Sequence, residues 1–517
     1  MKKAIWFFVF ITSLVSLCGI SRASDYAYIK TGGFDYQGGL SGSKLQWLAT
    51  HHDVIIGNPD ASTASGDTTL KQSNPNVLLI SYQPYTITAS AASWMANWCI
   101  ANGKNPEDLF YHYYYDTTVK MKNGTSYTFP GYGGGTAASL AQARVPSPWD
   151  AGLAICNSPY SAYGGAFCTS PDPSSPTFVS AFNAYILSKM ITVGTGMYMD
   201  GVFLDSFDSL TDNYNNLHLE NTIDMRNLGL LGNVAAANTR ANSDWAAYAS
   251  QLRTFLANAT GKAGMIIPNM GDASYMYEWQ PFAQLGADIK SATDPIGIET
   301  LITSGFYSTE RIPWLVDLYN DMSSGYKFFI NSQTNYASAS AGSPPLSAAA
   351  WNGLQQFILA THYLIYNPNG YFSFHLGSSG YYGGDPSVYM WNINEEFNVG
   401  NPVTRQTADY WNATGTNRFF KAASGTNNDG TSYVILGREF GNALVLANFG
   451  SHAGWAYIGT DQVTYPLNGN YQQLQPDNTL GPVIHSISLG FGEGAILIKS
   501  SVAQSPRQPD NIRFAQQ

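Results

Sequence analysis

The sequence has little charge. Only 12% of its 517 residues are Asp, Glu, Lys or Arg, whereas about 25% is usual in globular proteins. Lys and Arg together number 25 against 35 acidic residues, which gives a formal net charge of -10. Binding to nucleic acid depends on clustered cations that displace counterions from phosphate. The composition therefore argues against a nucleic-acid partner.

Cysteine is scarce as well, with four residues and no CxxC pair, so the sequence does not indicate a zinc site built from thiolates. It also lacks the GxSxG elbow of serine hydrolases and a glycine-rich phosphate turn after the first apolar run. A metal-dependent hydrolase is a weak alternative, because only His375 lies at the end of a predicted strand. We expect no cofactor.

Aromatic residues and glycine are abundant, with 34 Tyr, 12 Trp, 26 Phe and 50 Gly. Flat aromatic surfaces with little charge suit neutral, hydroxyl-rich ligands. An aromatic-rich core would give the same counts, so composition alone leaves both interpretations open. A hydrophobic share of 44% is enough to build a core, which excludes wholesale disorder.

The N-terminus has the pattern of a secretory signal. Lys2 and Lys3 precede an apolar stretch over 4–20, and Ser21-Arg22-Ala23 supplies small residues for cleavage after Ala23. We therefore expect a signal peptide over 1–23 and a secreted or periplasmic protein. Lipidation at Cys18 is disfavoured because the large Leu17 precedes it. No later segment is long and apolar enough to span a bilayer.

Export makes a disulfide possible. Cys156 and Cys168 flank a stretch rich in Gly, Ser and Tyr that has the composition of a long loop. We expect these two cysteines to be bonded and Cys99, which lies in a helical pattern, to be a buried free thiol.

Apolar runs recur along the first part of the chain, and helical patterns follow most of them. The runs cover 53–58, 76–83, 108–116, 197–205, 264–269, 296–300, 326–331 and 371–375. Near-continuous apolar strands that alternate with helices indicate a parallel sheet covered on both faces. Eight such units predict a (β/α)8 barrel over 24–415, with a doubly wound sheet as the alternative.

The composition changes after about residue 415. Short strands over 433–437, 443–448, 483–489 and 494–498 are separated by Gly and Asn turns, with no long helix between them. This pattern predicts a C-terminal antiparallel β-sandwich over 416–500. Residues 501–517 have the composition of a polar tail.

Polar side chains end most of the predicted strands. In a parallel barrel these ends converge on one mouth, where active sites lie. A single Asn or Asp at a strand end means little, since turns favour both, but the recurrence favours a site. The predicted substrate-binding residues at the mouth are Tyr82, Asp116, Asp208, Asn269, Asp272, Asn331 and His375.

The clearest candidate for chemistry is Asp205. In the run 201–205, alternation puts Gly201, Phe203 and Asp205 on one face of the strand, so Asp205 points inward at its carboxyl end. Two carboxyl groups about a glycosidic bond are the minimal apparatus for its hydrolysis. Glu299 is the best second carboxylate, and Asp116 and Asp272 are its rivals.

Three segments resemble a known group of proteins. Met199-Asp200-Gly201-Val202-Phe203-Leu204-Asp205-Ser206-Phe207-Asp208 resembles the fourth-strand motif of the hypothetical glycosyl-hydrolase-like family fifteen and of endo-α-1,4-polygalactosaminidase-type barrels. The segments 398–402 and 438–448 resemble their C-terminal motif, with Ala443 in place of the usual glycine. The resemblance implies a (β/α)8 barrel, a catalytic Asp at position 205 and an acid on the sixth strand, which Glu299 matches.

Together these observations predict an exported glycoside hydrolase that acts on a poly- or oligosaccharide. Asp205 would be the nucleophile or base, and Glu299 the general acid. The alternative is a non-catalytic carbohydrate-binding barrel that has kept the mouth and lost the acid/base pair. A single isolated carboxylate at the mouth would favour that alternative.

Overall fold

The structure is a computed structural model. It describes residues 29–35, 42–57, 64–84, 89–120, 126–146, 169–190, 199–205, 218, 221–222, 228–262, 264–271, 273, 277, 282–293, 295–299, 301, 309–334, 348–376, 397–403, 419–428, 430–450 and 462–501.

Eight parallel strands form the first sheet. They are β1 (Thr31–Asp35), β2 (Val54–Gly57), β3 (Leu78–Pro84), β6 (Gly201–Asp205), β7 (Met265–Pro268), β8 (Ile296–Ile298), β9 (Phe328–Thr334) and β10 (Gly370–Leu376). Each strand pairs with its neighbours in chain order, and β10 returns to pair with β1. A parallel bridge between Asn269 and Gly297 joins the two ends of the sheet. The barrel prediction is confirmed, and the doubly wound alternative is wrong.

Helices lie between the strands and cover the barrel. They are α1 (Ser43–His51), α2 (Ala64–Ser73), α3 (Ala89–Ala101), α4 (Pro176–Met190), α5 (Val234–Thr260), α6 (Phe282–Ala292), α7 (Ile312–Ser323) and α8 (Ala348–Ile365). The long α5 has clear local signals at both ends. The side chain of Asn233 accepts a hydrogen bond from the backbone N–H of Ala236, and Gly261 ends the helix in the left-handed conformation.

Two strands of the barrel differ from the sequence prediction. The run 108–116 was expected to be a barrel strand, but it lies outside that sheet. A short 3-10 helix (Pro106–Leu109) and extended chain occupy this segment, followed by a hairpin of β4 (Thr117–Lys120) and β5 (Ser126–Phe129). The aromatic residues Tyr111 and Tyr113 fill a small separate core. The first barrel strand is instead β1, which the sequence prediction missed.

The C-terminal strands form a six-stranded antiparallel sheet. They are β11 (Phe420–Thr426), β12 (Ser432–Glu439), β13 (Ala443–Gly450), β14 (Val463–Leu474), β15 (Leu480–Leu489) and β16 (Gly494–Lys499). The predicted strands over 433–437, 443–448, 483–489 and 494–498 lie within β12, β13, β15 and β16. The C-terminal antiparallel β-sandwich of the prediction is confirmed as this sandwich-like sheet.

The C-terminal sheet packs on α8 of the barrel. Along β13, Val445 and Ala447 join the barrel core, whereas Leu444 and Leu446 face the sheet's own core. Gly494 allows a close approach, because a Cβ there would lie 2.7 Å from the Cβ of Ala360.

Arg438 on β12 links the C-terminal sheet to α8 by hydrogen bonds. Its Nη1 donates hydrogen bonds of 2.6–3.1 Å to the carbonyls of Tyr363, Leu364 and Tyr366 at the end of α8. The guanidinium lies against the rings of Tyr319 and Phe440. A cation at a helix C-terminus is favoured by both the free carbonyls and the helix dipole.

Candidate active site

Two phenylalanine rings form the floor of the barrel mouth. Phe203 on β6 and Phe329 on β9 meet edge to face, with ring centroids 6.2 Å apart. The space that these rings occupy is available only because the neighbouring residues Gly32 and Gly297 have no side chain. A Cβ on Gly32 would lie 2.4 Å from Cε2 of Phe329, and one on Gly297 would lie 3.2 Å from Cε2 of Phe203. The barrel is therefore filled at this level, and the residues two positions further along each strand form the next layer, at the mouth.

Asp205 and Glu299 belong to this mouth layer and are brought together by Asn269. The Nδ2 of Asn269 donates to Oδ1 of Asp205 and to Oε2 of Glu299, at 2.7 Å in each case. The amide cannot be turned the other way, since its Oδ1 accepts a hydrogen bond from the backbone N–H of Gly271. The two carboxylate oxygens therefore lie at most twice 2.7 Å apart.

Tyr82 completes the environment of Asp205. Its ring stacks on Phe203, with centroids 6.1 Å apart, and its hydroxyl donates a hydrogen bond to Oδ2 of Asp205. Each oxygen of Asp205 thus accepts a hydrogen bond, one from an amide and one from a phenol. Together the two hydrogen bonds fix the orientation of the carboxyl group.

The surroundings of Glu299 raise the pKa of its carboxyl group. Burial raises the pKa of Glu299 and the charge of Asp205 raises it further, from 4.5 to about 7, although the hydrogen bond from Asn269 opposes both effects. Glu299 can therefore keep a proton at pH values close to neutral, where an ordinary Glu has lost it.

Asn331 also lies in the mouth layer. It is the register position after the pair Ile298–Ile330, and its carbonyl accepts a hydrogen bond from the N–H of Leu301, so it is level with Glu299. Its side chain is buried.

Asp116 does not lie at a barrel strand end. Its exposed carboxylate accepts hydrogen bonds from the N–H of Gly131 and the hydroxyl of Thr136, and so holds the turn after β5. The prediction that placed Asp116 at the mouth followed from the mistaken strand over 108–116. Its role as the rival to Glu299 is therefore unsupported.

Several predicted residues lie outside what the structure describes. These are Asp208, Asp272, the side chain of His375, Cys156, Cys168, Cys18 and the signal segment 1–23. Cys99 is buried in α3 with a free thiol, as expected, and burial raises its pKa to about 11. Within the described ranges, no cluster of His, Cys, Asp and Glu is suited to a metal ion, and no helix has the length and hydropathy needed to cross a membrane.

Sequence reasoning missed two features. The first is Ser373 on β10, which is in register with Asn331 and is buried in the mouth layer. Positions 373 and 375 share one face of a strand, so the prediction that placed position 375 at the mouth could have included Ser373. The second feature is an ion-pair cluster beside the hairpin β4–β5. Glu107 accepts from Nε of Arg144 at 2.9 Å and lies 3.1 Å from Nε2 of His112.

No protein-family model and no curated protein match the chain. Among solved structures, SrfJ from Salmonella typhimurium is similar over 91% of this chain and 89% of its own, with 9% identity and a TM-score of 0.37. A cycloisomaltooligosaccharide glucanotransferase from Paenibacillus sp. is 12% identical over 92% of this chain and 57% of its own, with a TM-score of 0.36. An endo-β-1,6-glucanase is 9% identical over 92% and 91%, with a TM-score of 0.35. Similarities this low establish no family, so a function for this chain must come from its own site.

Proposed function

We propose that this protein is an exported glycoside hydrolase in which Asp205 is the nucleophile and Glu299 the general acid. The observation that carries the proposal is the single amide of Asn269 that joins the two carboxyl groups at the barrel mouth. An isolated carboxylate would have favoured a barrel that only binds carbohydrate. The pair is the minimal apparatus for cleaving a glycosidic bond.

The environments of the two groups support these roles. Asp205 accepts hydrogen bonds on both oxygens, from Tyr82 and Asn269, which hold its carboxyl group in a fixed position for attack. Glu299, with its pKa raised to about 7 by burial and by the charge of Asp205, can carry a proton to the leaving oxygen near neutral pH.

The separation supports retention of anomeric configuration. Inverting enzymes keep their carboxyl groups about 6.5–9.5 Å apart to leave room for water, whereas retaining enzymes hold them about 5–5.5 Å apart. The two bridged oxygens lie at most twice 2.7 Å apart, which is shorter than the separations of the inverting range.

The reaction then has two steps. An oxygen of Asp205 attacks the anomeric carbon, the bond from that carbon to the leaving oxygen breaks, and the proton of Glu299 passes to the leaving oxygen. Glu299, now ionised, takes a proton from water as the water oxygen attacks the same carbon and releases Asp205. Hydrolysis requires water at the second step, whereas a sugar hydroxyl in its place would give transglycosylation.

Export belongs to the same proposal. The signal over 1–23 would place the enzyme in the periplasm or outside the cell, where it has access to polysaccharides. These oxidising compartments would also allow Cys156 and Cys168 to form a disulfide.

A screen against a panel of neutral polysaccharides, with detection of new reducing ends, tests the proposal. We expect the wild type to release reducing ends from at least one polymer and the Asp205→Asn variant to lose at least about a thousandfold in turnover, because the nucleophile is removed. Asp244→Asn is the matched control, since Asp244 pairs with Arg240 on α5, away from the mouth. Equal activity in the wild type and Asp205→Asn would refute the assignment, and binding without cleavage by the wild type would leave the carbohydrate-binding barrel.

A further inference from the structure

In the described part of the chain, two buried polar side chains in the same layer as Glu299 form no hydrogen bond. They are Asn331 on β9 and Ser373 on β10, and each is only 1% exposed. Within the described part of the chain, the Nδ2 and Oδ1 atoms of Asn331 and the hydroxyl of Ser373 form no hydrogen bond. Buried polar groups are nearly always paired, so each exception requires an explanation.

Both side chains face the barrel interior. Ser332, the next residue on β9, bonds His362 of α8 through its hydroxyl, at 2.7 Å, so Asn331 points the opposite way. Phe372, which precedes Ser373, packs against the ring of His362 at 5.1 Å, so Ser373 also points inward.

The two residues continue the polar layer that holds the carboxyl groups. Asn331 and Ser373 are register partners on neighbouring strands, and Asn331 is level with Glu299. Hydrogen bonds run from Tyr82 to Asp205 and through Asn269 to Glu299. Among the described residues, this series of hydrogen bonds does not reach Asn331 or Ser373, although both side chains belong to the same layer.

We propose that Asn331 and Ser373 form a subsite that binds adjacent hydroxyl groups of an uncharged sugar ring next to the general acid. This inference rests on the proposed function for the identity of the acid. It extends that function by naming the substrate class and by adding Ser373 to the site.

The chemistry of the two side chains fits a pair of hydroxyl groups. The amide of Asn331 offers a donor and an acceptor side by side, and the hydroxyl of Ser373 can act as either. A sugar hydroxyl is itself a donor and an acceptor, so a vicinal diol can satisfy all three atoms. A ring carboxylate in this subsite would meet only neutral partners, so its charge would lose its hydration with no cation to offset the loss.

The test is a measurement of binding that does not need turnover. Unmodified hexose disaccharides are titrated calorimetrically into Asp205→Asn protein, followed by the monodeoxy analogues of the disaccharide that binds best. We expect removal of either of two adjacent hydroxyls to weaken binding about 10- to 100-fold, since it leaves buried groups unpaired again. When Asn331→Ala or Ser373→Ala is added, the deoxy analogue that lacks the hydroxyl bound by the substituted side chain should bind within about threefold of the parent sugar.

Ser332→Ala is the matched control on the opposite face of β9. It removes a buried hydroxyl without touching the mouth, so discrimination against the deoxy analogues should remain complete. Melting curves identify any variant that fails to fold, in which case Ser373→Ala, the smaller change, carries the test.

The outcomes separate this inference from the proposed function. Loss of deoxy discrimination in the mouth variants supports the subsite, even if no sugar is hydrolysed by the wild type. Unchanged discrimination against the deoxy analogues in those variants, or no binding of any neutral disaccharide, would overturn the subsite, even if hydrolysis is found.

Discussion

Replacing Glu299 by Gln should change how the stability of the barrel depends on pH. Burial and the charge of Asp205 raise the pKa of Glu299 from 4.5 to about 7 in the folded protein. At pH values between 4.5 and about 7, Glu299 keeps its proton in the folded state but has lost it in the unfolded state. The free energy of unfolding of the wild type therefore falls as pH rises through this range. Gln has nearly the same shape and no proton to lose.

The size of the effect follows from the two pKa values. A pKa raised from 4.5 to about 7 corresponds to a loss of at most about 3.5 kcal/mol, at about 1.4 kcal/mol for each tenfold change. The loss is absent below about pH 4.5, where both states are protonated, and complete above about pH 7. Because the entropy of unfolding grows with chain length, 1 kcal/mol shifts the melting temperature of a chain of this size by only about 1 °C, and the Gln variant should gain roughly 3 °C over the wild type between pH 4 and pH 8.

The assay is a pair of melting curves recorded at each pH from 4 to 9. Glu310→Gln is the control, because the side chain of Glu310 is exposed; it measures how far the loss of one exposed carboxylate changes the melting temperature at each pH. A difference between Glu299→Gln and the wild type that does not change with pH, or that shrinks as pH rises, would refute the reasoning about burial and charge at this site.

Three further results are expected. Tyr82→Phe removes the donor to Asp205 and should lower turnover about tenfold with little effect on the melting temperature, which steady-state kinetics and calorimetry would show; unchanged turnover would exclude a positioning role. Arg438→Ala leaves three helix-end carbonyls unpaired and should cost about 2–5 kcal/mol in denaturant unfolding, whereas a loss below about 1 kcal/mol would show that the interface does not need it. Burial alone would raise the pKa of Glu107, but hydrogen bonds from His112 and Arg144 lower it to about 2, so its contribution is present above about pH 4.5 and lost as pH falls toward 2. Glu107→Gln should therefore be less stable than the wild type at pH 6 and equal to it near pH 2, and a difference that is the same at both values would contradict this.

The inward direction of Asp205 could be predicted because a strand alternates strictly, and the run 201–205 has an unambiguous pattern. The bridge made by Asn269 could not. It depends on the register by which β7 and β8 meet at the closure of the barrel, and on the amide orientation that Gly271 fixes. No local pattern in the sequence carries that information.

The two errors in the barrel strands have physical causes. The run 108–116 has strong β-propensity, but Tyr111 and Tyr113 use it to build a small core outside the barrel sheet, so tertiary context overrides propensity. The strand β1 contains Gly32 and Gly33 and has little periodic signal. Its glycines are required because Phe329 and His52 occupy the space where their Cβ atoms would lie.

The most direct test of the central claim is to trap the covalent intermediate. The wild-type enzyme is incubated with an activated 2-deoxy-2-fluoro glycoside of the sugar that the reducing-end screen identifies, and the labelled peptide is located by mass spectrometry. A retaining enzyme with the proposed roles should gain the mass of one fluorosugar on the carboxylate of Asp205. A label on Glu299, or an enzyme that cleaves the parent sugar while neither carboxylate is ever labelled, would contradict the assignment of Asp205 as nucleophile and Glu299 as acid.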